Sequence, residues 1–273
     1  MVPIQQMTPA QAAGVRFVLT DIDDTLTRGG KLQREAYAAL WALHDAGLRV
    51  IPVTGRPAGW CDLIAREWPV DGVVGENGAL AFWENPSGSG AGTLQQEFHP
   101  EAVTNEHPVL KRIQERALAE APGLRVARDQ FSRLFDLALD FAEEEPVLPL
   151  SLAERVRAIA GEEGARAKVS SIHINVWMGN YDKLSMTERF LSRRFGWQSG
   201  AEDGAVLFVG DSPNDEPLFA RFPLACAVAN VRRYRGLIRN LPAFAAEREY
   251  GEGFAEIVST LLEKRGEAEP FRV

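Results

Sequence analysis

Asp21-Ile22-Asp23-Asp24-Thr25 follows directly on Val15-Arg16-Phe17-Val18-Leu19-Thr20, and the reading of that junction decides the fold. The preceding run is short, mainly apolar and rich in β-formers, the pattern of a strand covered on both faces. A buried strand that ends in clustered carboxylates needs something to offset their repulsion and desolvation. A divalent cation is the usual answer.

Working outward, residues 32–46 place Leu32, Ala36, Leu40 and Leu43 at helical spacing, and Gly47 stands where a left-handed C-terminal cap belongs. A second apolar strand is predicted over 48–53, a helix over 59–68, and a strand over 72–75 that continues the same sheet. Strand and helix alternating on this scale imply βαβ units, a parallel sheet and right-handed crossovers. After Gly78 the pattern changes. Residues 84–93 are turn-forming, and beyond them a helix near 101–120, strands near 124–127 and 134–141, a helix near 150–160 and strands near 165–169 and 172–178 spell an αββ unit twice. Two helices on one face of a small, mainly antiparallel sheet satisfy that order. The alternating layout then resumes with helix 184–195, strand 205–209, helix 214–221, strand 224–228 and helix 253–264. The fold class is therefore α/β: a Rossmann-like parallel core from residues 1–80 and 181–273, flanked by helices, with an inserted α+β domain over 81–180.

The 273 residues are 45% apolar and 25% charged, the balance of an ordinary folded protein. A net charge of -8 disfavours nucleic acid or an anionic membrane as partner, since both need a basic surface. Cys61 and Cys226 are too few for a disulfide framework and read as core residues. Residues 1–14 lack the basic start and apolar stretch of a signal peptide, and no run has the length of a membrane span, so a cytoplasmic location is expected.

In an open parallel sheet, ligands bind beyond the carboxyl ends of the strands. The first strand ends in the acidic cluster, the second in Thr54-Gly55-Arg56, and the strand 205–209 in Gly210-Asp211-Ser212-Pro213-Asn214-Asp215; Lys183 opens the helix on which the chain returns from the insertion. Carboxylates, a hydroxyl and an ammonium converge on one rim. These stretches resemble the four ordered motifs of the haloacid dehalogenase superfamily: an Asp-x-Asp-x-Thr loop, a Thr or Ser, a Lys, and an acidic Gly-Asp-x-x-x-Asp loop. Glu76-Asn77-Gly78-Ala79 and the αββ repeat further resemble the branch with a type IIB cap, which includes Cof-like proteins and sucrose, trehalose and mannosylglycerate phosphate phosphatases.

The resemblance implies a phosphatase acting on a small phosphorylated metabolite, a sugar phosphate or (glycosyl) phosphoglycerate, with Mg²⁺ as cofactor. It assigns Asp21 as nucleophile and Asp23 as general acid and base, with Asp21, the backbone carbonyl of Asp23, Asp211 and Asp215 around the metal. Thr54, Gly55, Lys183 and Asn214 bind the phosphoryl oxygens. The chemistry is coherent with these residue types: a carboxylate can attack phosphorus, and a second carboxylate two residues on can protonate a leaving alkoxide. A phosphomutase of the same superfamily would use the same first step, and a phosphoryl-binding signalling module without turnover would share the acidic pocket.

Other residues carry weaker signals. Thr25 is read as a loop hydrogen bonder, and Asp24 stands where the family more often has Gly. Asn214 fits a helix N-cap or a partner of Lys183. Arg56 is either a helix-start residue or a second cation near the phosphate. His173 alternates with Ile172 and Ile174 and shares a face with Asn175 and Trp177; a satisfied or solvent-facing histidine is the plainer reading of it. Arg232, Arg233 and Arg235 read as a solvated loop, and His44, His99 and His107 have no metal-ligand spacing.

Overall fold

The computed structural model describes residues 1–85 and 92–266. Its largest sheet is parallel throughout and runs Val2–Pro3, Phe244–Ala245, Leu224–Ala227, Val206–Gly210, Phe17–Thr20, Arg49–Pro52. Alternation sorts its side chains into two layers. Val18, Val50, Leu207, Val209 and Cys226 pack with the helices Arg34–Asp45 and Tyr250–Arg265, whereas Phe17, Leu19, Ile51, Phe208 and Ala225 pack with Lys183–Phe195 and Glu216–Arg221. Burial on both faces is what the continuous apolar run at Phe17–Thr20 demands. The two-residue strands Val2–Pro3 and Phe244–Ala245 complete one edge of the sheet and were too short to read from sequence.

Register sets up the site. Val209 pairs with Thr20, and the Asp21 N–H donates to the Val209 carbonyl at 2.9 Å, so Asp21 and Asp211 leave neighbouring strands side by side.

One prediction about the sheet fails. Val73–Gly75 does not continue it: it is joined by a single parallel bridge between Val53 and Val74, and otherwise pairs antiparallel with Leu80–Glu84, which pairs in turn with Leu94–Phe98. An apolar run of three residues looks the same in either setting, so periodicity could not separate them. Of the turn-forming stretch, residues 86–91 lie outside the described residues; Asn85 and Thr93 close the hairpin, with the Asn85 N–H donating to the Thr93 carbonyl.

The αββ repeat is present as helices Pro108–Glu120 and Leu150–Glu162 over a four-stranded antiparallel sheet ordered Arg166–Val169, His173–Trp177, Asp136–Asp140, Arg125–Val126. One face of that sheet supplies Leu137, Leu139, Ile174 and Val176 to a separate core with Ile113, Val156 and Ile159. The other face alternates with it and carries Asp136, Asp140, His173 and Asn175, all buried. From that face Asp136 accepts a hydrogen bond from Asn77 Nδ2 at 3.2 Å. Among the described residues, no helix is long and apolar enough to cross a membrane.

Candidate active site

Asp21, Asp211 and Asp215 are buried, and each offers a carboxylate oxygen within 4.8 Å of the others. Lys183 reaches them from the start of its helix, donating from Nζ to Asp21 Oδ1 at 2.7 Å and to Asp215 Oδ1 at 3.2 Å. The helix start is fixed by Asp182, whose carboxylate accepts from the Ser185 N–H at 2.8 Å. Close backbone packing brings it in: Gly78 has φ +101°, and a Cβ there would stand 2.0 Å from the Asp182 carbonyl oxygen. Gly210 is equally constrained, since a Cβ would meet Asp215 Oδ2 at 2.5 Å. Asp215 Oδ2 also accepts the Asp211 N–H at 3.0 Å, which locks the acidic loop to its own carboxylate.

One ammonium against three buried carboxylates leaves the cluster under-neutralised. Burial, opposed by Lys183 and reinforced by Asp215 and Asp23, pushes the Asp21 carboxyl up to about 7. Asp211 is driven well above the usual carboxylate range, by burial first and then by Asp215 and Asp21. The donor set is all oxygen and carries excess negative charge, which suits a hard divalent cation such as Mg²⁺.

Asp23 is placed differently. Its side chain turns from the cluster to Arg56, which donates to it from Nε and Nη2. Arg56 stands two residues before the helix Ala58–Glu67 and lines the cleft with Asp21 and Lys183: it is buried, stacks over the Trp60 ring with Cζ 4.3 Å from the centroid, and donates to Glu143 at 2.9 Å. Thr54 is fully buried, and its Oγ1 accepts the Arg56 N–H at 3.0 Å, while Gly55 and Asn214 line the cleft with Asp21, Asp23 and Lys183. Asn214 is not the N-cap of its turn. Ser212 holds that place, with the Ser212–Asp215 pair closing the box.

Thr25 is a loop hydrogen bonder, as expected, donating from Oγ1 to Asp211 Oδ1 at 3.3 Å. Asp24 has φ +59°, a left-handed conformation that Gly adopts without steric strain, so the position suits the Gly of the resembled pattern and Asp occupies it under strain. His173 is buried rather than solvent-facing and lines the cleft, hydrogen-bonded to Glu143 at 2.7 Å. Asn175 faces the same way, but Trp177 packs into the apolar core beside Tyr181. Arg232, Arg233 and Arg235 are exposed, and Cys61 and Cys226 are buried.

Two groups escaped the sequence reading. Asn230 donates from Nδ2 to Asp211 Oδ2 at 3.2 Å and to the Asp24 carbonyl at 2.9 Å, tying the acidic loops together. Glu76 is fully buried and accepts N–H bonds from Ala58 on one side and from Leu134, Phe135 and Asp136 on the other. Nothing in the spacing of Asn230 marks it, whereas Glu76 lies in a stretch already singled out.

The sequence model of the haloacid dehalogenase-like hydrolases matches residues 18–119, which hold the acidic loop and the Thr54 motif. Over that stretch the chain is similar to the haloacid dehalogenase-like hydrolases. Among curated relatives, a phosphoglycolate phosphatase of Methanospirillum hungatei is 26% identical over 253 residues, covering 89% of this chain and 95% of the relative. Another of the same name, from Pyrobaculum neutrophilum, is 28% identical over 257 residues, covering 91% and 96%. Among solved structures, a subclass IIB sugar phosphatase of the superfamily superposes with a TM-score of 0.62 at 13% identity, covering 92% of this chain and 99% of that one. At that coverage the likeness in fold extends into residues 81–180.

Proposed function

We propose that this protein is a Mg²⁺-dependent phosphomonoester hydrolase that works through an aspartyl phosphate on a small phosphorylated metabolite, with residues 81–180 as a cap over the site. The observation that carries the reading is the cluster of Asp21, Asp211 and Asp215 around Lys183 at the carboxyl ends of adjacent parallel strands. Asp21 attacks phosphorus, the bond from phosphorus to the ester oxygen breaks, and Asp23 protonates the departing alkoxide. Asp23 then takes a proton from a water that attacks the same phosphorus, releasing orthophosphate and restoring Asp21. Lys183, Thr54, Gly55 and Asn214 hold the phosphoryl oxygens in place during both transfers. The carboxylates of Asp21, Asp211 and Asp215 and the carbonyl of Asp23 would hold Mg²⁺, which would supply the positive charge that lets an anionic ester approach an anionic nucleophile.

Sugar phosphates and phosphoglycerates both fit a capped cleft, and the names of the curated relatives favour an ester whose alcohol part carries a carboxylate. A phosphate-release screen over sugar phosphates, phosphoglycerates, phosphoglycolate and nucleotides, with and without Mg²⁺, tests the proposal. Turnover that requires Mg²⁺, vanishes in Asp21→Asn and falls by ~10²–10⁴-fold in Asp23→Asn is the expected result. Binding of phosphate analogues without release of phosphate from any ester would overturn it, and an isomeric phosphate ester as product would make the protein a mutase.

A further inference from the structure

The two oxygens of the Glu143 carboxylate are taken by two different donors: Arg56 Nη1 lies 2.9 Å from Oε1, and His173 Nε2 lies 2.7 Å from Oε2. The donors are built in and the acceptor is not. The side chains of Arg56 and His173 are each 3% exposed, whereas that of Glu143 is 33% exposed and enters from a turn beyond the strand Asp136–Asp140. Each donor is fixed from behind. Arg56 spends Nε and Nη2 on Asp23 and rests on Trp60, leaving Nη1 to face the cap; His173 is held in register opposite Asp140, whose Oδ1 also accepts the Glu143 N–H at 2.8 Å. The hydrogen bond from His173, with the charges of His173 and Arg56, outweighs the opposing effect of partial burial and holds the Glu143 carboxyl at about 2, so it is an anion at any ordinary pH.

This clamp stands in the catalytic cleft. Arg56 and His173 line the same cavity as Asp21, Asp23 and Lys183, and Glu143 lines a second cavity of about 190 Å³ that shares Asp23, Arg56, Ser171 and Ile172 with the first. A substrate that reaches from the first cavity into the second meets the clamp. Glu143 is the exposed one of the three, and it alone can leave for solvent without stranding a buried charge. Its departure uncovers a guanidinium N–H and an imidazole nitrogen beside the carboxylate that would protonate the leaving oxygen. Two such donors, set for two oxygens of one planar group, match a carboxylate.

We propose that Arg56 and His173 form a carboxylate-recognition site for the alcohol part of the substrate, filled by Glu143 in the closed cap, so that the preferred substrates are phosphate esters of short hydroxy acids. The inference rests on the phosphatase reading and narrows its substrate class. Glu143 acts as a tethered competitor, and a substrate carboxylate takes over both of its hydrogen bonds. Esters with a neutral alcohol part must strip the same two donors without replacing the anion.

The test is a comparison of 2-phosphoglycolate and 3-phosphoglycerate with glycerol 3-phosphate and phenyl phosphate, using the full chain with Mg²⁺. The ratio of kcat/KM for the first pair over the second is expected to be at least about tenfold, since a hydrogen bond to a charged group contributes ~1.5–3 kcal/mol. His173→Ala lowers that ratio by about tenfold or more, chiefly through KM, and His173→Gln recovers part of it. Glu143→Ala lowers KM for both classes of ester, since neither then has to displace the tethered carboxylate, and leaves the ratio close to that of the wild type. A ratio that is the same in the wild type and His173→Ala, or KM values that Glu143→Ala does not lower, overturns the clamp while leaving the phosphatase intact. A wild-type protein that hydrolyses none of the four esters overturns the phosphatase reading instead, and the clamp is then decided by calorimetry: phosphonoacetate must bind more tightly than methylphosphonate, and less tightly in His173→Ala, or the clamp falls too.

Discussion

Arg56 holds Asp23 by three hydrogen bonds, from Nε to both carboxylate oxygens at 3.0 and 2.9 Å and from Nη2 to Oδ1 at 2.7 Å. Asp21, two residues earlier, is turned instead to Lys183 at 2.7 Å. One short loop therefore presents two carboxylates to two different cations. A cation on each keeps them from competing for the same partner, and in the proposed mechanism it separates the nucleophile from the group that handles protons. The separation depends on Arg56 being a planar fork, because a single ammonium cannot bind both oxygens of Asp23 and a cap residue together.

Arg56→Lys is accordingly expected to lower kcat even though the charge is kept. Loss of charge-assisted hydrogen bonds worth ~1.5–3 kcal/mol corresponds to a decrease of roughly 10–100-fold. Steady-state kinetics on any ester turned over by the wild type, with a melting curve to establish that the variant folds, decides it. Wild-type kcat in a folded Arg56→Lys protein would show that Asp23 needs no such holder.

The acidic cluster makes stability depend on pH with a definite sign. Asp21 titrates near 7 when folded and at 3.8 as an ordinary side chain, so between those values the folded protein keeps a proton that the unfolded chain gives up. Stability thus falls as pH rises from about 4 to 7, and Asp211, raised further, extends the trend upward. Added Mg²⁺ opposes it, because it binds the ionised carboxylates and competes better as protons leave. At a Mg²⁺ concentration about 100 times its Kd, the stabilisation is ~2.7 kcal/mol, or roughly 5–10 °C in Tm for a protein of this size. Thermal melts at pH 5.5 and 8 with Mg²⁺ or EDTA provide the check: an increment from Mg²⁺ that does not grow with pH would count against the cluster as the metal site.

Asp24 gives a smaller effect of a different kind. At φ +59° its backbone is in the region where L side chains are strained by about 1–2 kcal/mol, although Asp tolerates it better than most. Its N–H still donates to Thr27 Oγ1 at 3.1 Å and its carbonyl accepts from Asn230, and both bonds survive any side-chain change. Asp24→Gly should leave stability within about 1 kcal/mol, the relief of strain being offset by added freedom in the unfolded chain. Asp24→Val, β-branched at the same φ, should lose ~1–2 kcal/mol. Urea titrations of the two variants separate backbone strain from any role of the carboxylate: equal losses in both would assign the role to the side chain.

How much of this was legible follows from what each feature depends on. Phe17–Thr20, Val206–Gly210 and the residues that follow them were readable because a strand buried on both faces has a distinctive composition and its polar terminus stands out against it. The rim of Asp21, Lys183, Asp211 and Asp215 followed from topology alone. The Arg56–Glu143 contact was not readable, since it joins residues 87 apart through an insertion whose placement over the core is a matter of tertiary packing. His173 was ambiguous for the same reason: alternation along its strand gave the side it faces, but not that the core would bury that side. Asn214 was misplaced as a cap because the turn Pro213–Asp215 starts ahead of it, with Ser212 at the cap position and the Asp215 N–H donating to the Ser212 carbonyl at 3.1 Å.

Glu76 joins the segment 134–136 of the proposed cap to the helix that begins at Ala58. It is fully buried, and burial, then the nearby charge of Asp136, pushes its carboxyl up to about 7 despite the backbone N–H groups that favour the anion. Those N–H groups are the point. Ala58 belongs to the core, and Leu134, Phe135 and Asp136 belong to the inserted segment, so one side chain satisfies donors on both sides of the junction, at 2.9 Å to Ala58 and 2.7 Å to Phe135. Glu76→Gln keeps an acceptor oxygen for part of the set, while Glu76→Ala leaves buried donors without partners at ~1–3 kcal/mol each. The expected order is therefore wild type, then Gln, then Ala, with Ala destabilised by at least about 3 kcal/mol. Hydrogen exchange locates the effect: in Glu76→Gln the amides of Leu134 to Asp136 should exchange faster than in the wild type while those of Phe17 to Thr20 stay protected. Equal loosening of both segments would mean that Glu76 supports the whole fold and is no hinge point for the cap.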